Sequence, residues 1–372
     1  MLKVLVWPRI LATSTAPSLD LEFAVRMPAF ARKLLMSPIW AAQVFTGASS
    51  FVDNPILGSR RLNSLGLHAA RTRVAHGLAG FRRAQLARLI SAEDRAAYDR
   101  DGYVLKSDFL PPALFQALME QLHAYRGAAR ETTQGDSMTR RIALEPSVMA
   151  KIPAARAVLK DPVWRGLIRY VGAAGIEPIN YIQTILTQID QSAPDPQLSL
   201  HADTFFPTVK AWLFLTDVTE DAAPFTYVPG SHRLTPERLA WERQVSIGAA
   251  RSDCRLTARG SFRVTEEELP SLALPPPKRF AVPANTLVVA DTCGFHARGP
   301  SDGPTSRVEI WAYGRRNPFL PWSGIDLLGL TGLASFQAPL IWWLLDKLQD
   351  AKLKPNVWHA QPDRSAFDPS FR

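Results

Sequence analysis

Only two cysteines, Cys254 and Cys293, occur in 372 residues. No disulfide framework supports this fold, and a reducing cytoplasm suits such a chain. Long apolar runs are also missing: no stretch reaches the roughly 18 uninterrupted apolar residues needed to span a bilayer. The short apolar run over 1–10 is broken by Pro8 and lacks a small-residue cleavage site, which argues against a signal peptide. No lysine-rich tail and no interleaving of basic and aromatic residues occur, so a nucleic-acid partner is not expected. A phosphate-cradling glycine loop is absent. No Gly-x-Ser-x-Gly elbow exists either, and Ser231 and Ser306 have no local base, which disfavours a serine hydrolase.

What is present is ordinary globular material. The apolar fraction is 47% and the charged fraction 21%, enough to bury a real core. Thirty prolines, clustered at turns such as Pro275, Pro276 and Pro277, favour many short elements over a helical bundle. The formal charge of +9 comes from basic residues spread along the chain, and it reads as a generally basic surface.

Residues 20–90 read as helical and basic. Ser91 caps a helix whose first turn holds Glu93 and Asp94, and Gly102 stops it. Tyr103 to Leu105 reads as a strand, and Pro111 and Pro112 open a second helix towards Tyr125. From about 180 the pattern changes to strands: 181–188, 209–218, 225–228, 286–290 and 307–313. Helices first and short strands later predict an α+β chain with a mainly β core, an antiparallel double-sheet barrel buttressed by helices. Three parts are expected: a helical extension over 1–90, the barrel over 91–317, and a helical extension over 318–372. Within the barrel, 231–275 reads as an irregular insertion of the kind that forms lids. The apolar tail 327–348, with Trp342 and Trp343, reads as a packed helix, with an interfacial membrane helix as the sharper alternative. The oligomeric state is not legible.

One constellation carries chemistry. His201 and Asp203 stand two residues apart, a spacing that puts both side chains on one face of a strand. His296 follows a later strand, and Arg307 comes eleven residues after it. Two neutral imidazoles and one carboxylate hold Fe(II) on one face and leave the opposite positions open. Zinc also accepts such a set. A guanidinium suits the far carboxylate of a dicarboxylic acid. Along its strand, Arg307, Glu309, Trp311 and Tyr313 share one face, and Val308, Ile310 and Ala312 the other. An inward Arg307 therefore calls for a buried anion. His232 reads as part of a turn, Cys293 as a buried inert thiol, and Arg140 and Arg141 as solvated or as a hold on an acidic substrate group.

These residues resemble the phytanoyl-CoA dioxygenase-like iron/2-oxoglutarate oxygenases. The resemblance rests on His201 and Asp203, on Val209, Lys210, Ala211 and Trp212, on Asp217 and Val218, and on Pro229 to His232. His296 and Arg307 continue it at the family's usual separation, and Tyr98 to Tyr103 with Phe109 and Leu110 resembles the family's opening. It covers about residues 90–317 and implies a double-stranded β-helix, or jelly roll. By resemblance, His201, Asp203 and His296 bind iron, Arg307 binds the distal carboxylate of 2-oxoglutarate, and Trp212 and Gln183 line or contact the cosubstrate. Ala202 replaces the usual polar residue between the ligands, and Ala222 and Ala223 replace the usual Asn-Gly turn. The implied activity is hydroxylation of an unactivated carbon in a small-molecule or lipid-like substrate, since halogenating relatives lack the carboxylate that Asp203 supplies. A non-catalytic ligand-binding barrel and a zinc hydrolase are the competing readings. The expected location is cytoplasmic, with peripheral membrane contact as the variant.

Overall fold

The structure, a computed structural model, describes residues 29–189, 193, 195–324, 326 and 333–369. The N-terminal run 1–10, and residues 327–332 of the apolar tail, lie outside the described residues.

Eleven strands are placed among the described residues. They are β1 (Tyr103–Lys106), β2 (Gly127–Gln134), β3 (Ser137–Ala143), β4 (Ile179–Thr187), β5 (Val209–Phe214) and β6 (Phe225–Tyr227). After them come β7 (Lys278–Arg279), β8 (Thr286–Asp291), β9 (His296–Arg298), β10 (Thr305–Gly314) and β11 (His359–Arg364). Eight form one antiparallel sheet in the order β1-β8-β5-β10-β4-β3-β2-β11, and a small sheet β7-β6-β9 faces it. Non-sequential neighbours within two facing antiparallel sheets make this a jelly roll buttressed by helices, an α+β fold with a β core.

Strand alternation divides the core in two. Ile182, Ala211, Leu213, Val289, Val308 and Ile310 turn outward and pack against helices. Tyr181, Trp212, Phe214, Val288, Trp311 and Tyr313 turn inward towards Phe225 and Tyr227 of the small sheet. The outer layer is supplied by helices. The chain opens with α1 (Ala29–Gln43), α2 (Arg60–Ser64) and α3 (Leu67–Leu86). Then come α4 (Ala92–Asp101), α5 (Pro112–Ala124), α6 (Pro146–Lys151), α7 (Pro153–Lys160) and α8 (Pro162–Val171). Ser91 caps α4 by accepting from the Asp94 N–H at 3.0 Å, and Gly102 ends it with φ +85°. That left-handed turn delivers the chain into β1.

Three expectations need correction. The segment 231–275 is not irregular: it contains α9 (Pro236–Gly248), α10 (Arg255–Ala258) and a seven-residue 3-10 turn at Glu266–Leu272. Thr235 caps α9 and Pro236 sits at its first position, so the local signals were ordinary helix starts. The C-terminal segment is not helical throughout either. After α11 (Gln337–Asp350), β11 adds an edge strand on β2. Finally, a share of the positive charge is interior: five arginines are buried among the described residues. Arg71, Arg82, Arg140, Arg238 and Arg307 are buried, most of them satisfied by backbone carbonyls or carboxylates. Among the described residues, no helix is long and apolar enough to cross a membrane.

Candidate metal centre

His201 is not in a continuous strand. Its segment forms single antiparallel bridges, to Arg263 on one side and to His296 on the other. The His201 and His296 backbones exchange both hydrogen bonds at 2.9 Å, which sets the two imidazoles side by side. Their ring centroids lie 4.4 Å apart. The Asp203 N–H donates to the Thr292 carbonyl at 2.9 Å, so the bend carrying the carboxylate is tied to the turn that precedes His296.

That turn is tightly specified. A Cβ on Gly294 would fall 1.9 Å from the Tyr227 hydroxyl, so no other residue fits there. Ser231 Oγ accepts from the Phe295 N–H at 2.8 Å, which explains what the Pro229–His232 stretch does for His296. Asp291, fully buried, accepts from Arg83, from the Tyr98 hydroxyl, and from the N–H groups of Thr208 and Cys293. Arg83 lies on α3, so the N-terminal helices brace the turn that precedes His296. Arg71 of α3 spans the carbonyls of Val44, Thr46 and Ala48 and stacks on Phe205, two residues past Asp203.

The three side chains converge. Their ligand atoms all lie within 4.8 Å of one another, with His201 Nε2 and His296 Nε2 at 3.8 and 3.6 Å from Asp203 Oδ1. Donors about 2.1 Å from a common octahedral ion stand about 3 Å apart, so small side-chain adjustments bring this set to a metal. Each imidazole presents Nδ1 to a backbone carbonyl, Ser199 at 2.8 Å and Gly294 at 3.0 Å. That fixes the tautomer and turns Nε2 inward as a lone-pair donor. His296 Nε2 is buried with no hydrogen-bond partner, a cost a metal removes. Burial, together with the neighbouring imidazole and Arg263, holds His201 well below the usual histidine range. Burial alone would raise the Asp203 carboxyl, but Lys210 and the two imidazoles hold it well below the carboxylate range. Neutral imidazoles and an ionised carboxylate are the protonation states that bind a divalent cation.

Lys210 is a functional residue that the motif alone does not assign. Its ammonium lies 2.6 Å from Asp203 Oδ2, an ion pair without hydrogen-bond geometry, and it leaves Oδ1 towards the imidazoles. Lys210 and Trp212 share the inward face of β5, and that spacing was the available signal.

Arg307, Trp212 and Gln183 line the same cavity as the triad. Trp212 packs on Phe225 at 4.2 Å between centroids. The anion that Arg307 calls for is already present: its Nε donates to Glu309 Oε2 at 2.9 Å, and Nη1 bonds the Ala223 carbonyl. Gln183 bridges the row, donating to Glu309 Oε1 at 2.6 Å and accepting from Arg141 Nε at 2.7 Å. The register Arg141, Gln183, Glu309 across β3, β4 and β10 makes this one polar ladder. Arg140 and Arg141 are not surface residues. Arg140 pairs with Glu131 and binds C-terminal carbonyls, and Arg141 faces the cavity. Cys293 is buried, as expected, its thiol pushed well above the usual range by burial and Asp291.

Residues 98–255 match the phytanoyl-CoA dioxygenase (PhyH) family model. No curated protein matches the chain. Similar solved structures include the non-heme alpha-ketoglutarate-dependent epimerase SnoN from nogalamycin biosynthesis. It is 20% identical with a TM-score of 0.40, over 62% of this chain and 82% of that one. The carbocyclase SnoK from the same biosynthesis is 19% identical at 0.38, over 61% and 84%. HygX from Streptomyces hygroscopicus, with nickel, 2-oxoglutarate and hygromycin B bound, is 16% identical at 0.35, over 61% and 88%. These likenesses are distant, and the functional reading rests on the chain's own residues. Residues 98–255, under half of the chain, are similar to the phytanoyl-CoA dioxygenase family, and His201, Asp203 and His296 form a candidate site for a divalent metal.

Proposed function

We propose that the enzyme hydroxylates an unactivated carbon of a small molecule, with His201, Asp203 and His296 as iron ligands. The observation that carries this reading is Asp203, a carboxylate set between two inward imidazoles. It fills the ligand position that halogenating relatives leave to a halide, so hydroxylation is the outcome we assign. We take residues 91–317 as the oxygenase body and the flanking segments as extensions that complete it.

Iron and 2-oxoglutarate, when bound, supply an oxidant able to take hydrogen from a C–H bond, with succinate and carbon dioxide as coproducts. The chain supplies position and a dry wall. Arg307, held on β10 by Glu309 and the Ala223 carbonyl, is assigned to the distal carboxylate of 2-oxoglutarate. Trp212 and Gln183 are assigned to the cosubstrate's flank. Trp311, Tyr313 and Phe225 exclude water on the inner face. The free cavity measures about 170 Å³, below the ~300 Å³ at which drug-sized sites begin, which favours a compact substrate over a long lipid chain.

The test is direct. Purified full-length protein with Fe(II) should consume 2-oxoglutarate and release succinate, and zinc should not replace iron. Retention of that turnover by Asp203→Ala would sink the ligand assignment.

A further inference from the structure

Six basic side chains line the cavity: Arg141, Lys210, Arg263, Arg298, Arg307 and Arg315. Three have carboxylate partners, Lys210 with Asp203, Arg298 with Asp195 and Arg307 with Glu309. Among the described residues, Arg141, Arg263 and Arg315 have none within ion-pair distance. A divalent cation and a dicarboxylate cancel formally, so loading the site leaves this surplus untouched. Something else anionic belongs in the cavity.

Arg141 is the best prepared to receive it. Its guanidinium carbon lies 4.2 Å from the Trp311 ring centroid, 4.7 Å from Trp358 and 5.0 Å from Tyr181. Nε is fixed by Gln183 Oε1 at 2.7 Å, and Nη1 and Nη2 have no hydrogen bond among the described residues. The long side chain is therefore held by rings and one amide, with its two remaining donor groups uncommitted. Thr132, on the neighbouring β2, and Thr139, two residues before Arg141 on β3, give this end of the cavity hydroxyl groups suited to an oxyanion. Burial lowers the guanidinium only to about 10, so it stays charged at neutral pH.

We propose that the substrate carries an oxyanion, carboxylate or phosphate, and docks it on Arg141 inside the ring formed by Trp311, Trp358 and Tyr181. Resting on the hydroxylase reading above, this makes Arg141 the specificity residue and places the carbon to be oxidised towards the triad. Trp358 belongs to the C-terminal segment, so that segment completes substrate recognition.

The experiment uses full-length protein loaded with manganese(II) and 2-oxoglutarate, titrated calorimetrically with hexanoate, hexyl phosphate and 1-hexanol. One of the two anions should bind at least about tenfold tighter than the alcohol, as a charge-assisted bond requires. Which anion wins identifies the group. Arg141→Gln should erase the preference while 2-oxoglutarate affinity changes less than about threefold, and Arg141→Lys should recover part of it. Equal binding of all three probes, or no measurable binding of either anion, overturns the proposal. So does loss of 2-oxoglutarate binding in Arg141→Gln, which would hand Arg141 to the cosubstrate. Failure of the wild type to bind 2-oxoglutarate is a separate result: it removes the hydroxylase reading, while the anion preference is judged on the three probes alone.

Discussion

At the metal end of the cavity, both imidazoles are fixed by backbone and the Asp203 carboxylate by the Lys210 ammonium. His201 and His296 are bridged to one another and their Nδ1 atoms are tied to carbonyls. At the opposite end, Arg141 is held by three aromatic rings and one amide, and one of those rings arrives from residue 358. The first end tolerates little variation, because a ligand displaced by 1 Å no longer meets the ion. The second end is a shaped and charged wall that reaches the first through Gln183 and Glu309. On the proposed reading, the metal site sets the reaction type and the Arg141 end sets the substrate choice.

The largest expected effect lies at the metal end. Asp203→Ala should reduce succinate formation to the level of a protein-free control, while circular dichroism stays that of the wild type. If the substitution instead costs only a few fold, the two ends do not differ in the way described. Arg307 is the sharper case because it has two duties. Arg307→Leu should raise the KM for 2-oxoglutarate about 10- to 100-fold, the value of charged hydrogen bonds. It also strands Glu309, which is fully buried, and breaking such a pair costs about 3–5 kcal/mol. Adding Glu309→Gln should restore the melting temperature and leave the KM defect, separating the structural pair from the cosubstrate contact. Recovery of both would mean that Arg307 is only a structural cation.

A smaller effect is expected at the far end. Trp358→Leu removes one ring from Arg141, worth about 0.5–2 kcal/mol for a partly desolvated cation. The preference for hexanoate or hexyl phosphate over hexanol should fall about two- to thirtyfold, with manganese affinity unchanged. A change in metal affinity of the same size would join the two ends into one unit.

The metal end was legible because its members are chemically rare and regularly spaced: a His-x-Asp pair, a later His, and an Arg eleven residues on. Binary alternation on β10 likewise placed Arg307, Glu309, Trp311 and Tyr313 inward, as the two core clusters show. What alternation omitted was that Glu309 answers Arg307 from the same strand. The far end was not legible, because Arg141 and Trp358 are 217 positions apart and meet only through sheet pairing of β11 on β2 and β2 on β3. An arginine pair on a polar strand looks solvated until the strand above it is known. The bracing of Asp291 by Arg83 was hidden for the same reason: a basic helix reads as surface unless its carboxylate partner is known.

Proton competition gives the smallest effect and the finest distinction between the ends. Metal binding requires Asp203 ionised and His201 neutral, and both groups are held below their ordinary ranges. A ligand with a lowered pKa starts to lose metal only at a lower pH, so neither His201 nor Asp203 gives up its binding form within its ordinary range. Lys210 is the strongest of the influences holding Asp203 down against its burial. In Lys210→Met the burial remains and the ammonium is gone, so the carboxyl rises and the acid limb of the affinity curve moves to higher pH. At the far end the titrating group is a guanidinium at about 10, which loses charge as pH rises, so anion preference should hold through pH 9 and fade above it. Calorimetric titration of manganese and of hexanoate across pH 5–10 separates the limbs. An acid limb that stays in place in Lys210→Met would mean that the ammonium does not govern the ligand carboxylate.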